Sequence, residues 1–328
     1  MGITTKELAR ICGTSRTTVE RALNGKKDIN SETKQRILAI AKKHGYHPDM
    51  VARSLVKGSS MCIGVIVFDI RNYYFAQLVS SIEQEAKNNG YTVNITMQEK
   101  EIEREIDLIN ALVSRRIDGL ILCPVNKGPD FEQFLSSLPI PTVVVSNDVG
   151  PSIHLVGIDE RTAAKEATDF LIAKGYKKII FVCPPLNEEV KENVYTHAER
   201  TGGVKESVAI HPSCSLELIT SWNYSDEILS LVETTTQKTV FFFSGDVYAM
   251  EMLNTLKRRG INIPGHIGIM GFDDTDMLKY IQPSIATVDT AIDLVGKTSF
   301  DVLLNLIERK DVPVRTIVDH HIVDGESI

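Results

Sequence analysis

The sequence lacks the paired cysteines from which disulfide frameworks and zinc sites are built. Its five cysteines are odd in number and widely spaced, and no two of them form a C-x-x-C pair. Secreted disulfide scaffolds and zinc-binding segments both use cysteines at short, matched spacings. We therefore expect reduced and mostly buried thiols, as in a cytoplasmic protein, at Cys12, Cys62, Cys123, Cys183 and Cys214.

Long uncharged apolar runs are also missing. No segment approaches the roughly 18 consecutive apolar residues that a membrane-spanning helix needs. The N-terminal stretch MGITTKELARIC has neither the apolar region nor the small-residue cleavage site of a signal peptide. We expect neither secretion nor a membrane partner, and a cytoplasmic location.

Motifs of common catalytic and nucleotide-binding sites are absent or incomplete. The sequence contains no G-x-S-x-G and no G-x-G-x-x-G. The stretch AIDLVGKT at residues 291–298 fits a loose P-loop pattern, but it has bulky residues where a phosphate-binding loop needs glycines. The triplet DHH at residues 319–321 is similar to part of a metal-phosphoesterase motif, but further Asp and His clusters are lacking. Both are the weaker interpretations, and we expect no catalytic residue, no metal and no cofactor.

Charge is distributed unevenly along the chain. The 328 residues carry a net charge of −7, yet residues 1–58 hold twelve Lys and Arg against five Asp and Glu. The first 58 residues, called the head below, thus carry +7, and the remainder carries −14. A basic head on an acidic body predicts a polyanionic partner for the head only.

From residue 61 onward, short apolar runs alternate with amphipathic helical patterns. CIGVIVFD precedes YFAQLVSSIEQEAKNNG, YTVNITM precedes EIDLINALVSRR, and GLILCPV, DFEQFLSSL and TVVVS follow. The alternation restarts at RTAAKEATDFLIAKG and continues through KKIIFVCP, SVAIHP, DEILSLVETT, TVFFFSGD, AMEMLNTLKRRG and IGIMGFDD. Apolar runs between such helices are typical of buried parallel strands. This predicts an α/β core with two lobes, each a doubly wound parallel sheet, and a cleft between them.

The head has a different, helical pattern. Helices are predicted at residues 5–12, 15–23 and 32–44, the third capped by Asn30 or Ser31 and ended by Gly45. A tight turn at Gly13 would set the second helix across the first, which is helix-turn-helix geometry. The expected core of this unit is Leu8, Ile11, Val19, Leu23, Ile37, Leu38 and Ile40.

In that geometry the second helix enters the DNA major groove with its N-terminal residues, Ser15, Arg16, Thr17 and Thr18. An arginine there can pair with guanine, and a threonine can contact a thymine methyl group. The alternative that spacing alone leaves open is a small helical bundle with a solvated basic face.

A set of spaced motifs runs through the head and continues into the core. Residues 3–58 contain TTKELA, SRTTVERALN, TKQRI, GYHP and ARSL, and the core contains IGVIVFDIRNYYFAQLVSSIEQEAKNNGY, RRIDGLIL, KGYKKIIFV, IPGHIGIMGFDD and PSIATV. On these motifs the chain resembles the lactose-repressor/galactose-repressor (LacI/GalR) family over nearly its whole length. The resemblance implies a core like periplasmic sugar-binding proteins. It also implies a homodimeric transcription regulator, expected to be a repressor, that binds a pseudo-palindromic operator under the control of a small effector such as a sugar or sugar derivative.

The resemblance also divides the chain. It implies a helix-turn-helix DNA-binding headpiece at residues 1–47, a hinge helix and linker at 48–60, and an effector-binding and dimerisation core at 61–328. The first lobe is expected to span residues 61–159 plus a late segment, and the second lobe residues 160–289 plus the C-terminal tail.

For DNA binding, the resemblance implies contacts from eight residues. Arg16 and Thr17 would read bases, Arg21 would reach a base or a phosphate, and Leu55 on the hinge helix would wedge between base steps. Ala52 would lie where two hinge helices approach each other. The full set is Ser15, Arg16, Thr17, Thr18, Arg21, Asn24, Ala52 and Leu55.

Glu20 departs from the family pattern, which usually has serine at this position. Its carboxylate would repel phosphate unless Arg16, four residues earlier, or Arg21 engages it. A solvent-facing charge is the alternative interpretation.

For effector binding, the resemblance implies residues at strand ends facing the cleft, where ligands of this fold class bind. They are Asp69, Asn72, Tyr74, Phe75 and Ser146 in the first lobe and Arg200, Asp246 and Asp273 in the second. Aromatic faces would cover the C–H surface of a sugar ring while arginine and carboxylates bind its hydroxyls.

Three residues depart from the family's usual polar lining: Ser146, Gly245 and Thr290 stand where an aspartate, an asparagine and a glutamine are frequent. The ligand could then be bulkier, or carry its own amino or acidic group.

Two other function classes remain as alternatives. One is a small-molecule receptor without DNA activity, which the basic head and the missing signal peptide argue against. The other is an enzyme that uses Asp246, Asp273 or Asp274 as an acid–base pair, although the same carboxylates suit hydrogen bonds to ligand hydroxyls.

Overall fold

A computed structural model describes residues 3–23, 28–46, 58–186 and 191–328. The chain divides into two compact units at the bond between Ser60 and Met61. The predicted hinge helix with Ala52 and Leu55, and the predicted DNA contact Asn24, lie outside the described residues.

The head contains three helices: α1 (Thr5–Ile11), α2 (Arg16–Leu23) and α3 (Ser31–Lys43). Thr4 begins α1 with a reciprocal capping box to Glu7, and Asn30 caps α3 through its side-chain oxygen. Gly13, in the turn between α1 and α2, has a φ of 61°, a left-handed conformation that favours glycine. The predicted helix-turn-helix geometry is confirmed, with each boundary within two residues.

The core of the head contains smaller side chains than the sequence analysis predicted. Leu8, Val19 and Ile37 are fully buried as predicted, but Ile11 and Leu38 are each 41% exposed, which corrects their assignment to the core. Ile11 and Leu38 lie beside the faces of α1 and α3 that point into the core. Small side chains occupy several of the buried positions on those faces. The remaining buried positions are Ala9, Cys12, Ala22 and Ala41.

The first lobe of the core contains a six-stranded parallel sheet, one edge strand of which comes from far along the chain. Its spatial order is β11-β5-β4-β3-β1-β2. The strands are β1 (Cys62–Val67), β2 (Thr92–Met97), β3 (Gly119–Leu122), β4 (Thr142–Val145), β5 (His154–Gly157) and β11 (Arg315–Ile317). The helices of this part are α4 (Tyr73–Asn88), α5 (Ile102–Ser114), α6 (Pro129–Ser136) and the late α11 (Ile292–Ile307), which packs against α4.

The second lobe contains a four-stranded parallel sheet with the order β7-β6-β8-β9. Its strands are β6 (Lys178–Cys183), β7 (Ser215–Thr220), β8 (Thr239–Phe243) and β9 (Ile267–Met270). Its helices are α7 (Glu160–Ala173), α8 (Tyr195–Ala209), α9 (Tyr224–Thr234), α10 (Asp246–Arg258) and a short 3-10 helix (Asp276–Tyr280). A two-stranded antiparallel pair, β10 (Thr287–Asp289) and β12 (His321–Val323), packs on α7.

The predicted fold class, an α/β core of two doubly wound parallel sheets behind a helix-turn-helix head, is confirmed. One segment of the alternation is corrected: residues 207–212 form the end of α8 and the following turn, and the strand begins at Ser215 instead. The P-loop-like stretch 291–298 lies mostly in α11, so it forms helix where a phosphate-binding loop would be required. Within the described ranges, no helix is long and apolar enough to cross a membrane.

Candidate effector-binding and DNA-binding sites

A cavity of about 220 Å³ lies between the two lobes of the core. Its walls come from the segments that follow the carboxyl ends of the parallel strands, which is where sheets of this type bind ligands. From the first lobe it takes Phe68 after β1, Cys123 after β3 and Ser146 after β4. From the second it takes Pro184 after β6 and Ser244 after β8.

Arg200 on α8 is the most heavily engaged side chain of this cavity. It is 5% exposed, and its Nε donates to Glu160 Oε2 at 2.7 Å while its Nη1 donates to the carbonyl of Ser244 at 2.6 Å. Nη1 also lies 3.5 Å from Asp273 Oδ1, and the guanidinium carbon lies 3.6 Å from the ring centre of Phe272. These contacts fix the guanidinium plane at the cavity wall.

Close packing of α7 and α8 makes the pair between Glu160 and Arg200 possible. Glycine at position 203 lets the helices approach, since a Cβ there would lie 2.1 Å from the carbonyl oxygen of Arg161. The sequence GlyGly within α8 therefore has a structural role. It brings Glu160, the first residue of α7, against Arg200 on α8.

Two carboxylates share the single guanidinium of Arg200. Burial raises the pKa of Glu160, and the charge of Arg200 only partly opposes it. Burial also raises the pKa of Asp273 well above its ordinary value, and the like charges of Asp246 and Glu160 add to the effect of burial against that of Arg200. One positive charge faces two acids, and the raised pKa of Asp273 favours its protonated form. A protonated Asp273 can donate a hydrogen bond to a ligand.

An aromatic wall faces the cavity from the first lobe. The rings of Tyr74 and Phe75 meet edge to face at 5.1 Å, and Phe75 meets Phe68 in the same way at 5.1 Å. The Tyr74 hydroxyl and Ser146 Oγ are 2.9 Å apart in a hydrogen bond, and Ser146 has a φ of 62°. Asn72 caps α4 by accepting from the backbone N–H of Tyr74, which places both aromatic residues at the start of that helix.

Two asparagines join the lobes beside the cavity. Asn193, just before α8, donates its backbone N–H to the carbonyl of Val125 at 2.7 Å and its side-chain Nδ2 to the carbonyl of Asp148 at 2.8 Å. In return, Asn147 of the first lobe accepts from the backbone N–H of Thr196 at 3.1 Å and from its hydroxyl at 2.5 Å. The two lobes are therefore held together along one side of the cavity by hydrogen bonds between segments that are buried or half-buried.

Six of the eight residues predicted to bind the effector line the cavity: Asn72, Tyr74, Phe75, Ser146, Arg200 and Asp273. Asp69 does not, since its carboxylate is bound by the side chain of Arg71, with Nε–Oδ2 at 2.8 Å. Asp246 does not line it either. Its fully buried carboxylate accepts from the backbone N–H of Thr275 at 2.8 Å and from the hydroxyl of Thr287 at 2.7 Å.

The three departures from the family pattern differ in position. Ser146 and Gly245 line the cavity, whereas Thr290 is buried behind it and donates its hydroxyl to the carbonyl of Asp273 at 3.1 Å. A Cβ at position 245 would meet the Tyr248 ring at 3.5 Å. Glycine at this position leaves that ring uncovered, which widens the apolar part of the site.

Several cavity residues were not predicted from the sequence. Asn147 directly follows Ser146 at the end of β4, so its position at a strand end was the available signal. Lys100, His197 and Trp222 lie in loops or in α8, where no sequence pattern marks them. The remaining unpredicted lining residues with polar groups are Glu192, Asn193, Thr196, Ser244 and Tyr248.

In the head, the N-terminal residues of α2 are presented to solvent. Arg16 and Thr17 are exposed, and Ser15 Oγ accepts from the backbone N–H of Thr18, so the serine acts as a helix cap. Arg16 Nε donates to Glu20 Oε1 at 2.8 Å. Of the alternatives that the sequence left open for Glu20, this is the ion pair with Arg16. Arg21 lies 3.5 Å from Asp28 through Nη1 and Oδ2, and both side chains are more than half exposed.

Comparison with known proteins agrees with this architecture. Residues 4–49 match the model of the lacI family of bacterial regulatory proteins, and residues 168–328 match that of a periplasmic binding protein-like domain. Catabolite control protein A of Priestia megaterium is 27% identical over 319 residues, which cover 95% of each chain. The ribose operon repressor of Halalkalibacterium halodurans is 29% identical over 335 residues, covering 99% of this chain and 98% of the relative.

Among solved structures, the lac repressor dimer bound to operator and the anti-inducer ONPF covers 100% of this chain and 99% of its own, with a TM-score of 0.85 and 20% identity. At that identity the likeness shows the fold. The relatives named here are regulators and not enzymes. The helix-turn-helix head, the two-lobed core and both domain matches show a lacI-family DNA-binding domain followed by a periplasmic binding protein-like core, the domain pair of a DNA-binding transcription regulator.

Proposed function

We propose that this regulator is a repressor that binds a pseudo-palindromic operator as a homodimer and responds to a small polar effector, a sugar or sugar derivative. The observation that carries the proposal is the cavity between the lobes, where Arg200 and Asp273 face an aromatic wall. A regulator that acts on chromosomal DNA works in the cytoplasm, which is the location we propose.

The lining chemistry suits a polyhydroxylated ring. The guanidinium of Arg200 and the carboxyl of Asp273 can together donate to and accept from adjacent hydroxyls. Phe75 and Tyr74 offer ring surfaces that cover C–H groups. The ribose operon repressor, by its name, regulates genes for a sugar. This supports the same ligand class here.

Effector control follows from the division of the site between the lobes. A ligand can contact Arg200 and Asp273 in the second lobe together with Tyr74 and Ser146 in the first only when the lobes are closed. It therefore shifts the population toward the closed state by its difference in affinity for the two states.

For DNA, we propose that Arg16 and Thr17 read bases and that Ser15, Thr18, Arg21 and Asn24 position the head on the backbone. The exposure of Arg16 and Thr17 at the start of α2 supports this assignment. Hinge contacts from Ala52 and Leu55 belong to the same proposal and rest on the sequence resemblance.

The test combines DNA and effector binding in the full chain. An operator is selected from a random duplex library, and its affinity is measured by fluorescence anisotropy with and without sugars, amino sugars, sugar acids, sugar phosphates and nucleosides. The expected result is an effector that changes operator affinity in the wild type and in Asp69→Ala, whose carboxylate lies outside the cavity, but not in Asp273→Ala. No selected duplex, or an effector that acts equally on Asp273→Ala, would contradict the proposal.

A further inference from the structure

Lys100 carries a positive charge that the cavity leaves without an ion-pair partner. Its Nζ lies 4.6 Å from the centre of the Trp222 ring, a cation–π contact at the cavity rim. Among the described residues it forms neither a salt bridge nor a side-chain hydrogen bond. Lys100 itself follows β2 with a left-handed φ of 64°, which turns the chain at the point where the side chain meets the cavity.

The surroundings of Lys100 disfavour its charge. Protein atoms crowded around the ammonium lower the pKa of Lys100, and the carboxylate of Glu192, which also lines the cavity, only partly opposes this. Glu192 does not approach closely enough to form an ion pair. Lys100 is exposed overall and lines the cavity, so an anionic ligand group can pair with its ammonium.

His197 lies about one turn before Arg200 on α8. Its imidazole lines the cavity, and its Nδ1 is buried with no hydrogen-bond partner in the described part of the chain. The positive charges of Arg200 and Lys100 both act on the ring and, after burial, lower the pKa of His197 to about 3. The neutral ring can still donate one N–H, which a ligand can accept.

Arg200 is not equivalent to Lys100 as an anion site. Glu160 and Asp273 already surround its guanidinium, so that end of the cavity has no excess positive charge. Lys100 has the Trp222 ring as its neighbour, and the carboxylate of Glu192 lies beyond ion-pair distance. The charge of Arg200 is therefore already compensated by direct partners, whereas the ammonium of Lys100 has none within ion-pair distance among the described residues.

We propose that the effector carries an anionic group, a carboxylate or a phosphate, that binds at Lys100 and His197 while its hydroxyls bind at Arg200 and Asp273. The inference rests on the proposed function and names the class of ligand within it: a sugar acid or a phosphorylated sugar. Ser244 Oγ, which has no hydrogen-bond partner in the described part of the chain and is also buried, lines the cavity as well and offers a further donor. The sequence left open a bulkier ligand and a ligand with its own amino or acidic group. The proposal selects the ligand with an acidic group.

The experiment uses the full chain and compares ligands that differ only in the charged group. Isothermal titration calorimetry is run with D-glucose and D-galactose, their uronates, their 6-phosphates and their 2-amino derivatives. The variants are Lys100→Gln, Lys100→Arg as the conservative replacement, and Lys310→Gln, which removes an exposed lysine paired with Glu308 outside the cavity.

We expect one acidic member of a series to bind at least about tenfold more tightly than its neutral parent, a difference of about 1.4 kcal/mol. Lys100→Gln should remove that advantage, so that the acidic ligand and its neutral parent bind this variant with similar affinity. Lys100→Arg should retain most of it, and Lys310→Gln should behave as the wild type. Preference for the uronate over the 6-phosphate, or the reverse, identifies the anion.

Two outcomes would overturn the inference in distinguishable ways. If a neutral or amino sugar binds at least as tightly as its acidic counterparts and depends on Asp273, the proposed function stands and the anionic subsite is wrong. If none of the probes binds in a manner that depends on Asp273, both the subsite and the sugar class of the proposed function fail.

Discussion

Glu20 holds the guanidinium of Arg16 along the outer face of the second helix, with Arg16 Nε 2.8 Å from Glu20 Oε1. Both side chains are exposed, at 67% and 46%, so the pair contributes only about 0.3–0.5 kcal/mol to stability. For the base contact proposed for Arg16, the geometry of the pair matters more. The bond uses Nε and leaves Nη1 and Nη2, the two donors that fit guanine O6 and N7, outside it.

Replacement of Arg16 by alanine should weaken operator binding by about 1–3 kcal/mol, because a bidentate arginine contact discriminates between bases by that amount. Base preference should relax at one position in each half-site. Anisotropy titrations against the selected operator and single-base variants measure both effects. Arg104→Ala, in the core, is the control, and equal loss in the two variants would remove Arg16 from the interface.

Glu20→Gln should increase affinity for non-specific DNA more than for the operator. The substitution removes a negative charge near the phosphates, but it also releases Arg16 from the geometry in which it reads a base. The ratio of operator to non-specific affinity should therefore fall. Glu103→Gln, an exposed position of the core helix α5, makes the same change in net charge and should leave the ratio unaltered. A rise in the ratio for Glu20→Gln would show that the ion pair opposes specificity.

Glu160→Gln should destabilise the core strongly, by about 3–5 kcal/mol, because it leaves the buried guanidinium of Arg200 short of one charged partner. Chemical denaturation of the full chain measures the free energy of unfolding. The matched control is Glu206→Gln, whose partner Arg161 is 44% exposed, and it should cost no more than about 1 kcal/mol. Similar losses of unfolding free energy in both variants would mean that the buried pair of Glu160 and Arg200 stabilises the core no more than an exposed pair does.

The stability of the core should fall as pH rises from about 4 to about 7, in part because of Asp246. Burial raises the pKa of Asp246 from 3.8 to about 7, so the folded state holds a proton that the unfolded state has already released. The stabilisation is complete below the unfolded pKa and is lost as pH rises through the folded one. Denaturation at several pH values measures the slope.

Asp246→Asn removes this titration and keeps the shape of the side chain. Its carbonyl oxygen can still accept from the backbone N–H of Thr275, and its amide can donate to the hydroxyl of Thr287. The pH slope should become shallower, although Asp273 continues to contribute in the same direction. An unchanged slope would show that Asp246 is ionised throughout this range.

Much of the fold was predictable because buried parallel strands are short, apolar and separated by amphipathic helices. β1 and β8 illustrate this, since every residue of β8 and nearly every residue of β1 is buried. Two strands that lack this signature were not found, although β2, which is also partly exposed, was. β7 has exposed and half-buried positions on both faces, and β11 has only three residues, so neither differs from a loop by pattern alone.

The candidate site was predictable where it consists of strand ends and unpredictable where it depends on side-chain direction. Asp246 follows β8 and was a natural candidate, yet its side chain turns away from the cavity toward Thr275 and Thr287. Arg200 was predicted, but Glu160, which orients it, was not. The two are forty residues apart in sequence and meet only because α7 and α8 pack closely at Gly203.

The late segments of the chain set the order in which the protein can mature on the ribosome. The first lobe needs α11 and β11 to cover α4 and to complete its sheet, yet the four-stranded sheet of the second lobe and its helices are synthesised before either of them. The nascent first lobe therefore leaves the exit tunnel with the side of β5 unpaired and α4 uncovered. Such surfaces attract chaperones and other nascent chains. We expect the yield of native protein during synthesis to depend on how quickly translation reaches the last thirty or so residues, more than on the stability of the finished core.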